Sequence, residues 1–128
     1  MVFDLLSTNL YDLLKSNGYY GLPLDLIRRM ALQVLNALHF LYKNKIVHAD
    51  LKPENILLKE SNKSGLRLID FGSSCFENKV IYSYIQSRYY RAPEVILGFA
   101  YDSKIDIWSF GCIMAELHLG YPLFGGKN

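Results

Sequence analysis

The stretch IVHADLKPENILL, Ile46 to Leu58, sets five polar side chains (His48, Asp50, Lys52, Glu54 and Asn55) into eight positions. Strand-forming apolar residues bracket it on both sides. Burying such a cluster is costly unless its members satisfy one another or a ligand. An Asp, a Lys two residues on and an Asn three beyond that therefore point to chemistry. A second piece, Asp70-Phe71-Gly72, follows a pattern that reads as a hairpin: a strand over Ile56 to Lys59, a polar turn ESNKSG closed by Gly65, and a strand over Leu66 to Ile69. A hairpin of that length folds Asp70 back beside Asp50, Lys52 and Asn55. Asp and Asn oxygens are hard ligands that suit Mg²⁺. A Lys beside them neutralises charge on a transferring phosphoryl group, and an Asp without a metal role orients or deprotonates an attacking hydroxyl. These are the parts of phosphoryl transfer.

The rest of the chain supports one globular unit. It has 128 residues, half of them hydrophobic, and a net charge of +2, values that suit a single cored domain and not a disordered chain. The basic residues are scattered, so neither nucleic acid nor a membrane surface is expected as a partner. No run is long and apolar enough to suggest a membrane span. Two cysteines, Cys75 and Cys112, lack metal-ligand spacing and read as reduced thiols of a cytoplasmic or nuclear protein.

Met1 to Phe3 reads as the tail of a strand. In STNLYDLLKSNG, Ser7, Thr8 or Asn9 would cap a short helix that Gly18 stops. LPLDLIRRMALQVLNALHFLYKNK is the clearest helix, with Pro23 in its first turn. Leu24, Ile27, Ala31, Val34, Leu38 and Leu41 form a stripe of helical period, and Met30, Leu35 and Tyr42 widen it, so burial on more than one side is expected. The segment from Asp70 to Glu94 lacks a clear period and reads as a long functional loop. A final helix in SKIDIWSFGCIMAELHLG would put Ile105, Trp108, Cys112, Ala115 and Leu119 on one face, with Trp108 in the core and Gly120 as stop.

His48-Ala49-Asp50, Asn55, Asp70-Phe71-Gly72 and Ala92-Pro93-Glu94 occur in the order of the protein-kinase motif set. The chain resembles the C-terminal lobe of a eukaryotic protein kinase. NLYDLL, DLKPENILL, IDFGSSC, PLFGGKN and above all YSYIQSRYYRAPE are similar to the dual-specificity tyrosine-regulated kinases of the CMGC group, over essentially the whole chain. The resemblance implies a mainly α (α+β) kinase-like fold: a single partial domain over 1–128, running from the hinge through the helix after APE. The N-terminal lobe with its Gly-rich loop and the late helices would be absent. It implies an ATP- and Mg²⁺-dependent protein serine/threonine kinase with tyrosine autophosphorylation. These residues alone would be inactive. The alternative is a non-catalytic regulatory or substrate-binding module.

Residue by residue, the resemblance makes Asp50 the base and Lys52 the contact to the transferring phosphate. Asn55 and Asp70 would hold the metal. Phe3 would be the gatekeeper, the backbone of Asp4 to Leu6 the adenine-pairing hinge, and Leu57 the pocket floor. Tyr84, with Tyr82 beside it, would be phosphorylated, and Arg88 and Arg91 would clamp the phosphate. Arg91 would also shape a pocket for a proline following the target Ser/Thr. Asp12, Glu54 and Glu116 would receive a substrate arginine three residues before it. Asp106 would brace the catalytic-loop backbone, and His48 would pack under Phe71. Ala49 is a departure: kinases regulated through the HRD arginine carry Arg there and this family usually Cys, so phosphate recognition would fall to Arg88 and Arg91. Glu94 is expected buried without its usual arginine.

Overall fold

The computed structural model describes residues 5–60, 65–79 and 84–127. The expected strand at Met1 to Phe3 and the centre of the ESNKSG turn lie outside these residues. Helix α1 spans Leu10–Ser16. Of the candidate caps, Asn9 serves: its Oδ1 accepts the Asp12 amide at 2.8 Å, a contact worth about 1 kcal/mol. Asn17 and then Gly18, at φ +66°, end the helix. Helix α2 spans Leu24–Lys43, with Pro23 just before its first turn. Asp25 and Lys43 sit at the ends where the helix dipole favours their charges.

Only one side of α2 is buried. Ile27, Met30, Val34, Leu38 and Leu41 enter the core, while Leu24, Leu35 and Tyr42 remain exposed, against the broader burial that the sequence suggested. An apolar residue can stay in contact with water at modest cost, so apolar content alone overstates the buried arc.

Strands β2 (Ile56–Leu58) and β3 (Leu66–Leu68) pair antiparallel as the expected hairpin, Leu57 opposite Arg67. The chain before α1 continues this ladder: Ser7 donates to the Leu58 carbonyl at 2.8 Å and Leu58 to that of Thr8 at 2.9 Å. A second pair joins β1 (Ile46–Val47) to β4 (Cys75–Phe76). Among its described residues, the long segment after Gly72 is mostly irregular, as expected, but carries β4, 3₁₀ turns at Glu77–Lys79 and Arg88–Tyr90, and the short helix α3, Pro93–Ile96. Glu94 on α3 is half-buried, not enclosed.

Helix α4 spans Lys104–Leu119 and packs on α2. The Leu22 amide at the start of α2 donates to the Leu117 carbonyl at 2.7 Å. The inward face of α4 is the expected one only in part: Ile105 and Cys112 are buried as expected. Ile105, Asp106, Ser109, Cys112, Ile113, Glu116 and Leu117 are buried, whereas Trp108 is 39% exposed and Leu119 lies at the surface. Trp108 instead stacks on Phe124, the rings 6.0 Å apart and nearly parallel. The helix is apolar nearly all round, so periodicity could not single out one face. Three polar side chains with partners in the interior decided it. Gly120 ends α4 at φ +88°, and a Cβ there would lie 1.8 Å from the Tyr19 carbonyl oxygen. Helices, hairpin and the Tyr90 ring enclose one core around Met30, Leu51 and Ile113, and a second cluster around Val47, Ala49 and Ile105 lies under the loop that carries Asp50. No helix among the described residues is long and apolar enough to cross a membrane.

Candidate active site

The loop between β1 and β2 carries the polar cluster. Its start is bent into an unfavourable shape: Ala49 stands at φ +67°, which costs a non-glycine residue about 1–2 kcal/mol. Asp106 holds it there. Its carboxylate accepts the His48 amide at 2.7 Å and the Ala49 amide at 3.0 Å, and the Ala49 carbonyl accepts the Gln86 amide at 3.0 Å. Burial pushes the Asp106 carboxyl upward, and the two amide donors oppose that rise.

His48 is fully buried. Its Nδ1 accepts the Asp50 amide at 3.2 Å, which leaves Nε2 to donate to the Ile69 carbonyl at 3.0 Å. The two bonds select one neutral tautomer. The ring packs against Phe71 at 4.8 Å. His48 thus ties the Asp50 loop to the residues just before Asp70, a structural role.

Asp50 is the hub. Ser87 donates to its Oδ1 at 2.7 Å, and Lys52 Nζ lies 3.3 Å from its Oδ2 and 3.3 Å from Ser87 Oγ. The Asn55 amide group donates to the Asp50 carbonyl at 2.8 Å, which turns its own side-chain oxygen away from Asp50. The Asn55 carbonyl accepts the Ile69 amide at 3.0 Å, so the hairpin returns Asp70 beside Asn55. Asp70 stands at φ +61°, is exposed, and accepts the Gly72 amide at 3.3 Å. Asn55 is buried and Asp70 exposed; a carboxamide oxygen and a carboxylate side by side are hard donors that would suit Mg²⁺.

Ser87 and Gln86 escaped the sequence reading. Both lie in an aperiodic loop, where no local pattern marks them. Gln86 is buried at φ +65°. Its side chain donates to the Ile105 carbonyl at 3.0 Å and Ser109 Oγ at 2.9 Å, and accepts the Ala92 amide at 2.8 Å. Its carbonyl accepts Arg91 Nη2 at 2.7 Å, while Arg91 Nε reaches the Ile85 carbonyl at 2.9 Å.

The Tyr84 ring stacks over the Arg91 guanidinium at 4.4 Å, and that guanidinium holds the phenol below its usual value. Arg88 donates to the Lys127 carbonyl at 2.8 Å. Glu54 and Glu116 line one cleft of about 350 Å³, together with Tyr11, Lys52, Tyr89 and Tyr90. Glu54 is exposed; Glu116 is buried and accepts the Tyr90 hydroxyl at 2.6 Å. Burial pushes the Glu116 carboxyl up, against the pull of Tyr90. Asp12 lies apart on α1, bonded to Asn9 at 3.0 Å. Leu6 and Leu57 are half-buried along the hairpin edge. Phe3, Asp4 and Tyr82 lie outside the described residues.

Comparison with known proteins shows the family. Residues 1–128 match the protein kinase domain. Over all 128 residues the chain is 62% identical to a probable serine/threonine-protein kinase dyrk2 of Dictyostelium discoideum, of which it covers 14%. It is 59% identical to a putative dual specificity tyrosine-phosphorylation-regulated kinase 3 homolog of Drosophila melanogaster, covering 16% of it. It is 58% identical to dual specificity tyrosine-phosphorylation-regulated kinase 3 of Homo sapiens, covering 22%. The chain thus spans less than a quarter of the length of each of these relatives.

Proposed function

The chain belongs to the protein kinase domain family, and from that premise we propose that it carries the catalytic loop and activation segment of a dual-specificity serine/threonine kinase. The reaction is transfer of the γ-phosphoryl group of ATP to a protein hydroxyl. The observation that carries this reading is the bonded set of Asp50, Lys52 and Ser87. Asp50 orients the substrate hydroxyl and accepts its proton. Lys52 would contact the phosphoryl oxygens. Asn55 and Asp70 hold Mg²⁺, which neutralises phosphate charge when bound. Leu6 and Leu57, with Phe3 and Asp4, border the adenine.

Substrates are proteins. Arg91 occupies the Gln86 carbonyl, so a substrate amide that needed that acceptor would stay unpaired. Proline has no N–H to leave unpaired, which supports a preference for Ser/Thr followed by proline. The cleft shared by Glu54 and Glu116 supports a substrate arginine upstream, with Asp12 further out. Tyr84 is the proposed autophosphorylation site and Tyr82 the second candidate; Arg88 and Arg91 are the phosphate's partners.

The test uses the full-length natural protein. Asp50→Asn should lower peptide phosphorylation by about 10²–10⁴-fold while the protein stays folded. Turnover equal to that of the parent would refute the role of Asp50.

A further inference from the structure

Two non-glycine residues with left-handed backbone bracket the entry to the Asp50 loop: Lys45 at φ +59° and Ala49 at φ +67°. Such residues persist only where their surroundings hold them, and they concentrate at functional sites. Asp106 holds Ala49 through its amide. Glu77 holds Lys45. The Glu77 amide donates to the Lys45 carbonyl at 2.8 Å, and Glu77 Oε2 lies 3.7 Å from Lys45 Nζ. The other carboxylate oxygen, Oε1, accepts the Ser103 hydroxyl at 2.8 Å and the Ser103 amide at 3.2 Å. These two donors hold the Glu77 carboxyl below its usual value, and Lys45 adds to the effect. Ser103 stands at the N-cap of α4, where a serine hydroxyl ordinarily accepts an amide of the first turn. Among the described residues it makes no such bond; its hydroxyl goes to Glu77 instead.

Glu77 thus clips together three pieces of chain. One is its own, just after β4. The second is the turn into β1, where Lys45 precedes His48 by three residues. The third is the start of α4, where Ser103 precedes Asp106 by three residues. Asp106 bonds the His48 and Ala49 amides, so the clip sets the spacing between the brace and the backbone that it braces. Of the two side-chain partners, Ser103 carries the effect. The Lys45 side chain is 63% exposed and its ion pair is long, a pairing that contributes little.

We propose that Glu77 is a positioning residue for phosphoryl transfer, acting through Ser103 and Asp106 on the loop that carries Asp50. This inference rests on the kinase reading above. It makes the shape of the catalytic loop depend on the segment that follows β4. Glu77 is not among the described residues that line the cleft of Glu54 and Glu116, so its effect falls on turnover and not on peptide binding.

The experiment measures kcat and KM of the full-length protein on a serine peptide, well below the unfolding midpoint, with the folded fraction of each variant read by circular dichroism. Glu77→Ala lowers kcat about ten-fold, the scale of one hydrogen bond to a charged group, and leaves KM unchanged. Glu77→Gln keeps an acceptor for Ser103 and stays within about three-fold of the parent. Ser103→Ala lowers kcat in the same direction, and combining it with Glu77→Ala costs no more than Glu77→Ala alone, because the two act as one unit. Lys45→Ala keeps the parent's kcat.

A Glu77→Ala protein with the parent's kcat would overturn the inference. So would a fall in kcat that merely matches a fall in folded fraction, which would make Glu77 a stabilising contact only. A Glu77→Gln protein as slow as Glu77→Ala would do the same, by assigning the effect to charge. Should Glu77→Ala not fold, Ser103→Ala decides: the parent's kcat there overturns the inference. A parent stopped by Asp50→Asn but indifferent to Glu77 sinks the inference alone, whereas a parent that phosphorylates no peptide sinks the kinase reading and the inference with it.

Discussion

Asp106 and His48 lie 58 positions apart in sequence, yet the carboxylate of one holds the backbone amide of the other at 2.7 Å. A second bond, to the Ala49 amide, fixes the strained residue before Asp50. Asp106→Asn keeps the shape but turns an NH₂ group toward one of those two amides. The expected cost is about 2–4 kcal/mol, from charge-assisted bonds lost and a donor left facing a donor. Denaturant unfolding of the full-length protein measures it. A change below the error of the midpoint would mean that the loop keeps its shape without the brace.

Ser87 bridges the two groups assigned to catalysis, bonded to Asp50 at 2.7 Å and lying 3.3 Å from Lys52. Ser87→Ala should lower kcat by roughly 10–100-fold, the worth of one hydrogen bond to a charged group. Ser87→Thr retains the hydroxyl and should recover most of it. Steady-state kinetics on a serine peptide decides; an alanine variant with the parent's kcat would make Ser87 a bystander.

Glu116 should give arginine recognition a pH dependence. Burial is the main cause that holds its carboxyl above the usual range. The folded state therefore takes up this proton before the unfolded state does as pH falls. Its stabilising contribution is full below the ordinary carboxylate value and is lost as pH rises through the raised one. Binding of a substrate arginine needs the ionised form. KM for an arginine-bearing peptide should thus rise on acidification before any general loss of folding, and Glu116→Gln should flatten that rise. A slope unchanged in the Gln variant would assign the titration elsewhere.

Gly120 and Gly98 both sit at positive φ, +88° and +73°. They differ in surroundings: a Cβ at Gly120 would meet the Tyr19 carbonyl oxygen at 1.8 Å, while one at Gly98 meets nothing within 4 Å. Gly98→Ala pays the conformational term alone, about 1 kcal/mol. Gly120→Ala must also push apart the chain at Tyr19 and the end of α4, and should cost roughly 3 kcal/mol or more. Equal losses in thermal unfolding would show that the contact relaxes freely.

Short-range features were legible in the sequence alone. A cap among Ser7, Thr8 and Asn9 and a stop at Gly18 bound α1, the three-and-four spacing from Ile27 to Leu41 marks the buried stripe of α2, and the polar turn between two apolar runs marks the hairpin. Asp50, Lys52, Asn55 and Asp70 stood out because so many polar groups in so short a span need partners. All of these follow from backbone periodicity and local side-chain chemistry, which act over a few residues.

The tertiary structure decided what depends on partners far along the chain. Trp108 reads as core, but Asp106, Ser109 and Glu116 claim the inward face of α4, because each finds a buried hydrogen-bond partner on the loops before it. Ser87 and Gln86 carry no periodic signal. Ser87 meets Asp50 across 37 positions and Gln86 meets Ser109 across 23. Local sequence prescribes which groups must be satisfied; only the packed fold decides which distant group satisfies them.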